Sequence, residues 1–234
     1  FVEVVGIQDS LKALWRTLDE GGVMGSLLTG DTAKPFEDGM GSLLTLAHSL
    51  SRDDLLDILD PSSIRRYDSL WRTEDLREYR FLGSLLLATE AERLVRDPDT
   101  TRVFDLCVGY WNDGYGLEWN LHWRIAELLF RIDAPRARAL FAPLFEDVPT
   151  RGSSKRDAVL SAMIRHDVKG SRDLIEPWYW IVQRLDLHRF PGEARIILDE
   201  LASGGNEAQA LRRKLVRDRR YVAPKGRLHP LRGR

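Results

Sequence analysis

Disulfide bonds, membrane spans and the common enzyme fingerprints are missing from this 234-residue chain, and each absence removes a class of explanation. The single cysteine, Cys107, cannot form an internal bridge and sits in the apolar pattern Val103, Phe104, Cys107, Val108, where a buried thiol is expected. A reducing compartment, and with it a cytoplasmic location, fits that usage. No apolar run approaches the ~20 residues needed to cross a bilayer, since even Phe81 to Leu87 is soon followed by Glu90, Glu92 and Arg93. There is no Gly-x-Ser-x-Gly elbow, phosphate-binding loop, dinucleotide fingerprint or zinc spacing, so a nucleophilic triad is unsupported and no cofactor is expected. Strand-like alternation is scarce beyond Phe1 to Ile7. The chain also opens without Met or a basic leader, which is expected of a product that starts inside a longer one.

What is present is helix signal. Hydrophobic residues make up 43% of the sequence, ample for a continuous core. Leu11, Leu14, Trp15 and Leu18 form a helical stripe behind Asp9, and Phe36, Met40, Leu43, Leu44 and Ala47 form another after Pro35. Ser51 is expected to cap a short acidic helix ending at Asp60-Pro61, with Leu55, Leu56, Ile58 and Leu59 feeding a core. Ile64, Tyr67, Leu70 and Trp71 follow, then a long helix over about Glu74 to Arg96. Asp97 is expected to cap the next one, with Pro98 at its first position. The Gly-Ser-Leu-Leu repeated at residues 25–28, 41–44 and 83–86 supplies small residues for close helix packing. The expected fold class is all-α: one helical domain over residues 1–220, irregular over 1–112, with a basic tail over 221–234.

From 117 to 220 the chain repeats itself. Units begin near Leu117, Ser154 and Pro191, a period of roughly 37 residues, and each reads as two amphipathic helices. In the first, Leu121, Ile125, Leu128 and Leu129 face inward, Asp133-Ala134-Pro135 makes the corner, and Ala139, Leu140, Phe141, Leu144 and Phe145 line the return helix. The second carries Asp157, Ala158, Leu160, Met163 and Ile164. Ser171 is expected to cap its return helix, with Leu174, Ile175, Trp178, Ile181 and Leu185 on the apolar side, and Pro177 would interrupt that helix unless it lies near a start. The third uses Pro191 to Ala202, a Gly204-Gly205 stop and Asn206 as cap. The run from Arg124 to Asp147, with its Asp133-Ala134-Pro135-Arg136-Ala137 corner, resembles a HEAT repeat. That resemblance implies stacked antiparallel helix pairs, an α-solenoid, through the C-terminal half, with a surface for a macromolecular partner.

Two acidic motifs suggest metal chemistry. Asp53-Asp54-Leu55-Leu56-Asp57 resembles the magnesium and diphosphate motif of class I terpenoid synthases, and Asn112-Asp113 is similar to their second motif. In the first turn after Ser51 the same acids complement the helix dipole, which is the preferred reading. Met163 to Gly170, with its His166-Asp167 doublet, resembles the HD phosphohydrolase family, and His122 to Leu128 resembles the helix bearing that family's first metal histidine. This resemblance implies His122, His166 and Asp167 as ligands of a water-activating metal, with Asp199 a distant fourth. Lys169-Gly170 inverts the family's usual order, and a histidine at a helix end also suits the C-terminal dipole.

Charge is unevenly distributed. From Leu211 onward ten basic residues accompany one acid, Asp218, giving +9, and the chain's net −1 leaves −10 for residues 1–210. Arg212, Arg213, Lys214, Arg217, Arg219 and Arg220 are therefore candidates for contact with nucleic acid or another polyanion. Aromatics are clustered too, from Tyr110 and Trp111 to Trp119 and Trp123, and again at Trp178-Tyr179-Trp180. Three consecutive aromatics cannot share one helix face, so some reach a surface, where Trp and Tyr anchor binding. Asp113-Gly114 and Gly116 mark a loop beside them. The expected role is a non-enzymatic helical-repeat protein whose acidic, aromatic body engages a protein partner, a basic one that it inhibits or scaffolds. Its expected anchors are Trp111, Asp113, Tyr115, Glu118, Trp119, Trp178 and Trp180. The alternatives are an HD-like phosphohydrolase and nucleic-acid binding through the basic end.

Overall fold

A computed structural model describes residues 45, 47–60, 83–84, 86–87, 89–113, 121–146, 153–184 and 191–217 of the chain. Helix dominates them, and no strand occurs among the described residues. In order these are α1 (Arg52–Leu59), α2 (Ala91–Leu94), α3 (Thr100–Asp113), α4 (Leu121–Ile132), α5 (Ala134–Phe141), a 3-10 turn (Ala142–Phe145), α6 (Ser154–His166), α7 (Arg172–Arg184), α8 (Pro191–Ser203) and α9 (Asn206–Arg217). Among the described residues no helix is long and apolar enough to cross a membrane. The stripe behind Asp9, most of the one after Pro35, the Ile64 to Trp71 segment, the alternation at Phe1 to Ile7 and the tail lie outside the described residues. Contacts divide the chain into two compact units, Phe1–Leu121 and His122–Arg234.

In the first unit Ser51 caps α1, its Oγ accepting from the Asp54 amide at 3.1 Å. Leu55, Leu56, Ile58 and Leu59 are buried as their spacing requires. The next cap differs from expectation. Helix α3 opens at Thr100, and Asp99, not Asp97, receives the Arg102 amide at 3.1 Å. Asp97 is buried instead and held by Arg52, whose Nε and Nη2 each donate at 2.9 Å, while the Asp99 amide donates to it at 2.7 Å. A two-pronged guanidinium contact from a distant helix outcompetes a local cap for this carboxylate. Burial alone would raise the Asp97 carboxyl, but the Arg52 hydrogen bonds, the Asp99 amide and the Arg52 and Arg102 charges hold it below the ordinary 3.8.

Helix α3 buries Val103, Phe104, Cys107 and Tyr110, and burial pushes the Cys107 thiol up. The Tyr110 hydroxyl donates to the Leu59 carbonyl at 3.0 Å. Its ring lies where a Cβ on Gly83 would be, so the glycine of the third Gly-Ser-Leu-Leu does permit close packing. Arg93 satisfies the end of the preceding helical segment by donating to the Leu50 carbonyl at 2.8 Å.

In the second unit Asp133 caps α5 by accepting from the Arg136 amide at 3.0 Å, with Pro135 in the first turn. Because α5 begins at Ala134, its inward positions are Ala137 and Phe141, and Ala139 is exposed, against expectation. Helix α6 packs against α7 and α8, and α8 packs against α7 and α9. Arg156 and every residue from Ala158 to Ile164 are buried, so α6 is enclosed on nearly all sides where a one-sided stripe was expected.

Three further signals concern helix starts. Ser171 holds the position before α7, its carbonyl accepting from the Ile175 amide at 3.0 Å, and its hydroxyl donates to Asp167 at 2.9 Å. Pro177 lies inside α7, whose helix continues to Arg184. Its missing amide would have met the Asp173 carbonyl in the first turn, so only one bond is lost near the start. Gly205 occupies the position expected for Asn206, its carbonyl accepting from the Gln209 amide at 3.0 Å, and Asn206 is the first helical residue.

Gly83→Ala is expected to lower stability by about 1–3 kcal/mol, the range for overpacking, seen as an earlier urea midpoint. Asp97→Asn should destabilise the protein fully above the ordinary aspartate range. Wild type loses the contribution of this lowered carboxyl as pH falls through its folded value, so the two proteins should converge in acid. Urea midpoints measured in steps from neutral pH to about pH 2 test this, and a pH-independent difference would assign the effect to something other than the Asp97 charge.

Candidate functional site

The most constrained chemistry in the second unit lies where α6 and α8 begin. Arg156 and Glu193, each the third residue of its helix, meet with Nε donating to Oε1 at 3.1 Å. The Ser153 amide donates to the same oxygen at 3.2 Å. The side chains are 7% and 0% exposed, so two charges are held almost wholly out of water. The Arg156 guanidinium lies 4.7 Å from the centre of the Trp178 ring, and Phe145 meets that ring edge-on at 5.7 Å. Beside the pair, the Asp157 carboxylate occupies the space a Cβ on Gly192 would need.

Further polar contacts join the same elements. Glu200 accepts from Ser161 Oγ at 2.7 Å and from Arg165 Nε and Nη2 at 3.1 and 3.0 Å. Lys214 donates to Glu176 at 3.2 Å, and His166 stands 3.4 Å from Glu127. The sequence separations are 37 for Arg156 with Glu193, 39 for Ser161 with Glu200, 35 for Arg165 with Glu200 and 38 for Lys214 with Glu176, each close to one repeat. Of these residues, Arg156, Ser161, Glu176, Glu193 and Glu200 belong to no chemical motif in the sequence. Their signal is the sequence spacing: Arg156 and Glu193 stand 37 residues apart, each third in its helix.

Among the described residues, two of the expected aromatic anchors are core residues and a third is half-buried. Trp111 is 7% exposed and Trp178 only 1%, so both are core residues. Trp180 is half-buried, its ring edge-on to Tyr179 at 5.3 Å. Asp113 ends α3, while Tyr115, Glu118 and Trp119 lie outside the described residues. At the basic end Arg212, Arg213 and Lys214 are exposed and Arg217 ends α9, with Arg219 and Arg220 outside the described residues.

The acidic motifs have other partners. His122 is buried next to Trp123, and Asp167 forms an ion pair with Arg138 at 2.9 Å. Burial lowers the His166 imidazole pKa, aided by Arg131 and Arg165, more than Glu127 raises it. Among the described residues no three His, Cys, Asp or Glu side chains gather to hold a metal, so His122, His166, Asp167 and Asp199 do not converge. Asp53 pairs with Arg52 at 2.6 Å, Asp57 pairs with Arg102 at 2.8 Å, and Asp54 faces its own cap Ser51. Comparison with family models, curated proteins and solved structures finds no match to the chain.

Glu193→Ala leaves a buried guanidinium without its carboxylate and is expected to cost about 3–5 kcal/mol in urea unfolding. Combining Arg156→Met with Glu193→Leu removes both charges and should recover most of that loss. If the double variant is no more stable than Glu193→Ala, the penalty does not come from the unpaired charge.

Proposed function

We propose that the chain is a non-enzymatic helical-repeat protein whose helix pairs stack through its C-terminal half and engage a macromolecular partner. The observation that supports this best is the set of cross-helix contacts spaced by about one repeat. Helices that begin at Ser154 and Pro191, as the period requires, add to it. In stacked repeats each unit contacts its neighbours, and the aligned helices form an extended surface suited to another protein. The −10 charge of residues 1–210 favours a basic partner, with the field steering encounter. Trp111 and Trp178 serve the scaffold as core residues, leaving Asp113, Tyr115, Glu118, Trp119 and Trp180 as contact candidates.

Immobilised full-length chain should capture a basic protein from cell extract, releasing it as salt rises. Glu118→Gln combined with Trp119→Ala should reduce recovery of that protein at least about tenfold, the loss typical of a binding hot spot, with an unchanged circular dichroism melt. Full recovery by the folded double variant would remove this segment from the binding surface.

A further inference from the structure

The turn between α6 and α7 meets α9 in a groove of about 240 Å³. Its apolar lining comes from Val168, Ala210 and Leu211, and Lys169, Arg172 and Lys214 bring three cations to it. On α9 the lining residues Ala210, Leu211 and Lys214, with Glu207, follow helical spacing along one stripe. Arg172 and Lys214 share the Glu176 carboxylate, each at 3.2 Å. One acid thus serves two cations and holds them side by side. Lys169 is exposed and has no ion-pair or hydrogen-bond partner among the described residues. The groove therefore keeps positive charge even with Glu207 on its wall.

We propose that this groove binds a short acidic segment of a partner protein. One large apolar side chain of that segment rests on Val168, Ala210 and Leu211, and its flanking carboxylates meet Lys169, Arg172 and Lys214. The volume suits one or two side chains rather than a folded surface, and basic clusters recognise acidic motifs through charge-assisted hydrogen bonds. A nucleic-acid backbone would use the cations but leave the apolar floor without a purpose. The +9 segment that begins at Leu211 on the groove wall adds long-range attraction for an acidic ligand. None of the groove's lining residues is among the contact candidates for a basic partner, so either reading can fail without the other.

The test is fluorescence anisotropy with the full chain and a labelled eight-residue peptide, six acidic residues around a central leucine-phenylalanine pair. A matched peptide with two serines at the centre and a labelled oligothymidylate serve as comparisons. Saturable binding of the first peptide is expected, with the serine peptide weaker by about tenfold or more. Lys169→Glu and Ala210→Glu change exposed positions on the groove, so folding is retained and checked by circular dichroism. Each should weaken the first peptide by about tenfold or more. Equal affinity for the two peptides would reduce the effect to net charge and overturn the proposal. So would binding that neither variant alters, or no saturable binding. Oligothymidylate binding that Lys169→Glu abolishes, without peptide binding, would make this a phosphate site and overturn it as well.

Discussion

The ion pair between Arg156 and Glu193 is the constraint that most narrows how the second unit can be assembled. Apolar contact tolerates sliding, because one leucine surface resembles the next. A buried guanidinium does not, since a displacement of one helical turn would leave two desolvated charges apart. The pair closes only when the third residue of α6 lies against the third residue of α8. Trp178 covers the guanidinium from α7, so the return helix is positioned by the same charge. Glycine at 192 then lets the two starts approach while the Asp157 carboxylate sits between them.

Glu200 repeats the device two turns along α8, seven residues after Glu193 and so on nearly the same face. It takes Ser161 and Arg165 from α6 as Glu193 takes Arg156. These polar contacts have different exposures: Arg156 is enclosed, whereas Arg165 reaches solvent. The first therefore fixes geometry at a desolvation cost, and the second contributes the small energy of an exposed pair. Between them Ala158 to Ile164 supply the apolar contact that offsets that cost. Register comes from the charges, and cohesion comes from the hydrocarbon.

Much of this arrangement was legible in the residues. The starts at Ser154 and Pro191, the Ser51 cap, the corner at Asp133 and the burial of Cys107 follow from local rules, because each depends on neighbours within one or two turns. Asp97 departs from the local rule because its strongest partner comes from outside the local pattern: Arg52 reaches it from another helix. The enclosure of α6 was hidden by its composition, since Arg156 and Ser161 look like surface residues until Glu193 and Glu200 are brought to them. Among the aromatics, the rule that three in a row cannot share a face does not foretell that Trp178 and Tyr179 are both buried and Trp180 half-buried. Trp178 is enclosed because Phe145 and Arg156 converge on it from elsewhere in the unit.

The same logic explains where free charge collects. A helix enclosed on several sides must pair its ions or lose them, and α6 pairs Arg156 and Arg165. Helix α9 buries only Ala208, Leu211 and Leu215 among its described side chains, a single narrow stripe. Its remaining positions face water, and there Arg212 and Arg213 cost nothing to keep charged. The width of the apolar stripe thus separates cations used inside the assembly from cations left outside it. Lys214 lies at the boundary, paired with Glu176 yet exposed beside Lys169, so the last described helix turns toward solvent the charge that the inner helices spend on one another.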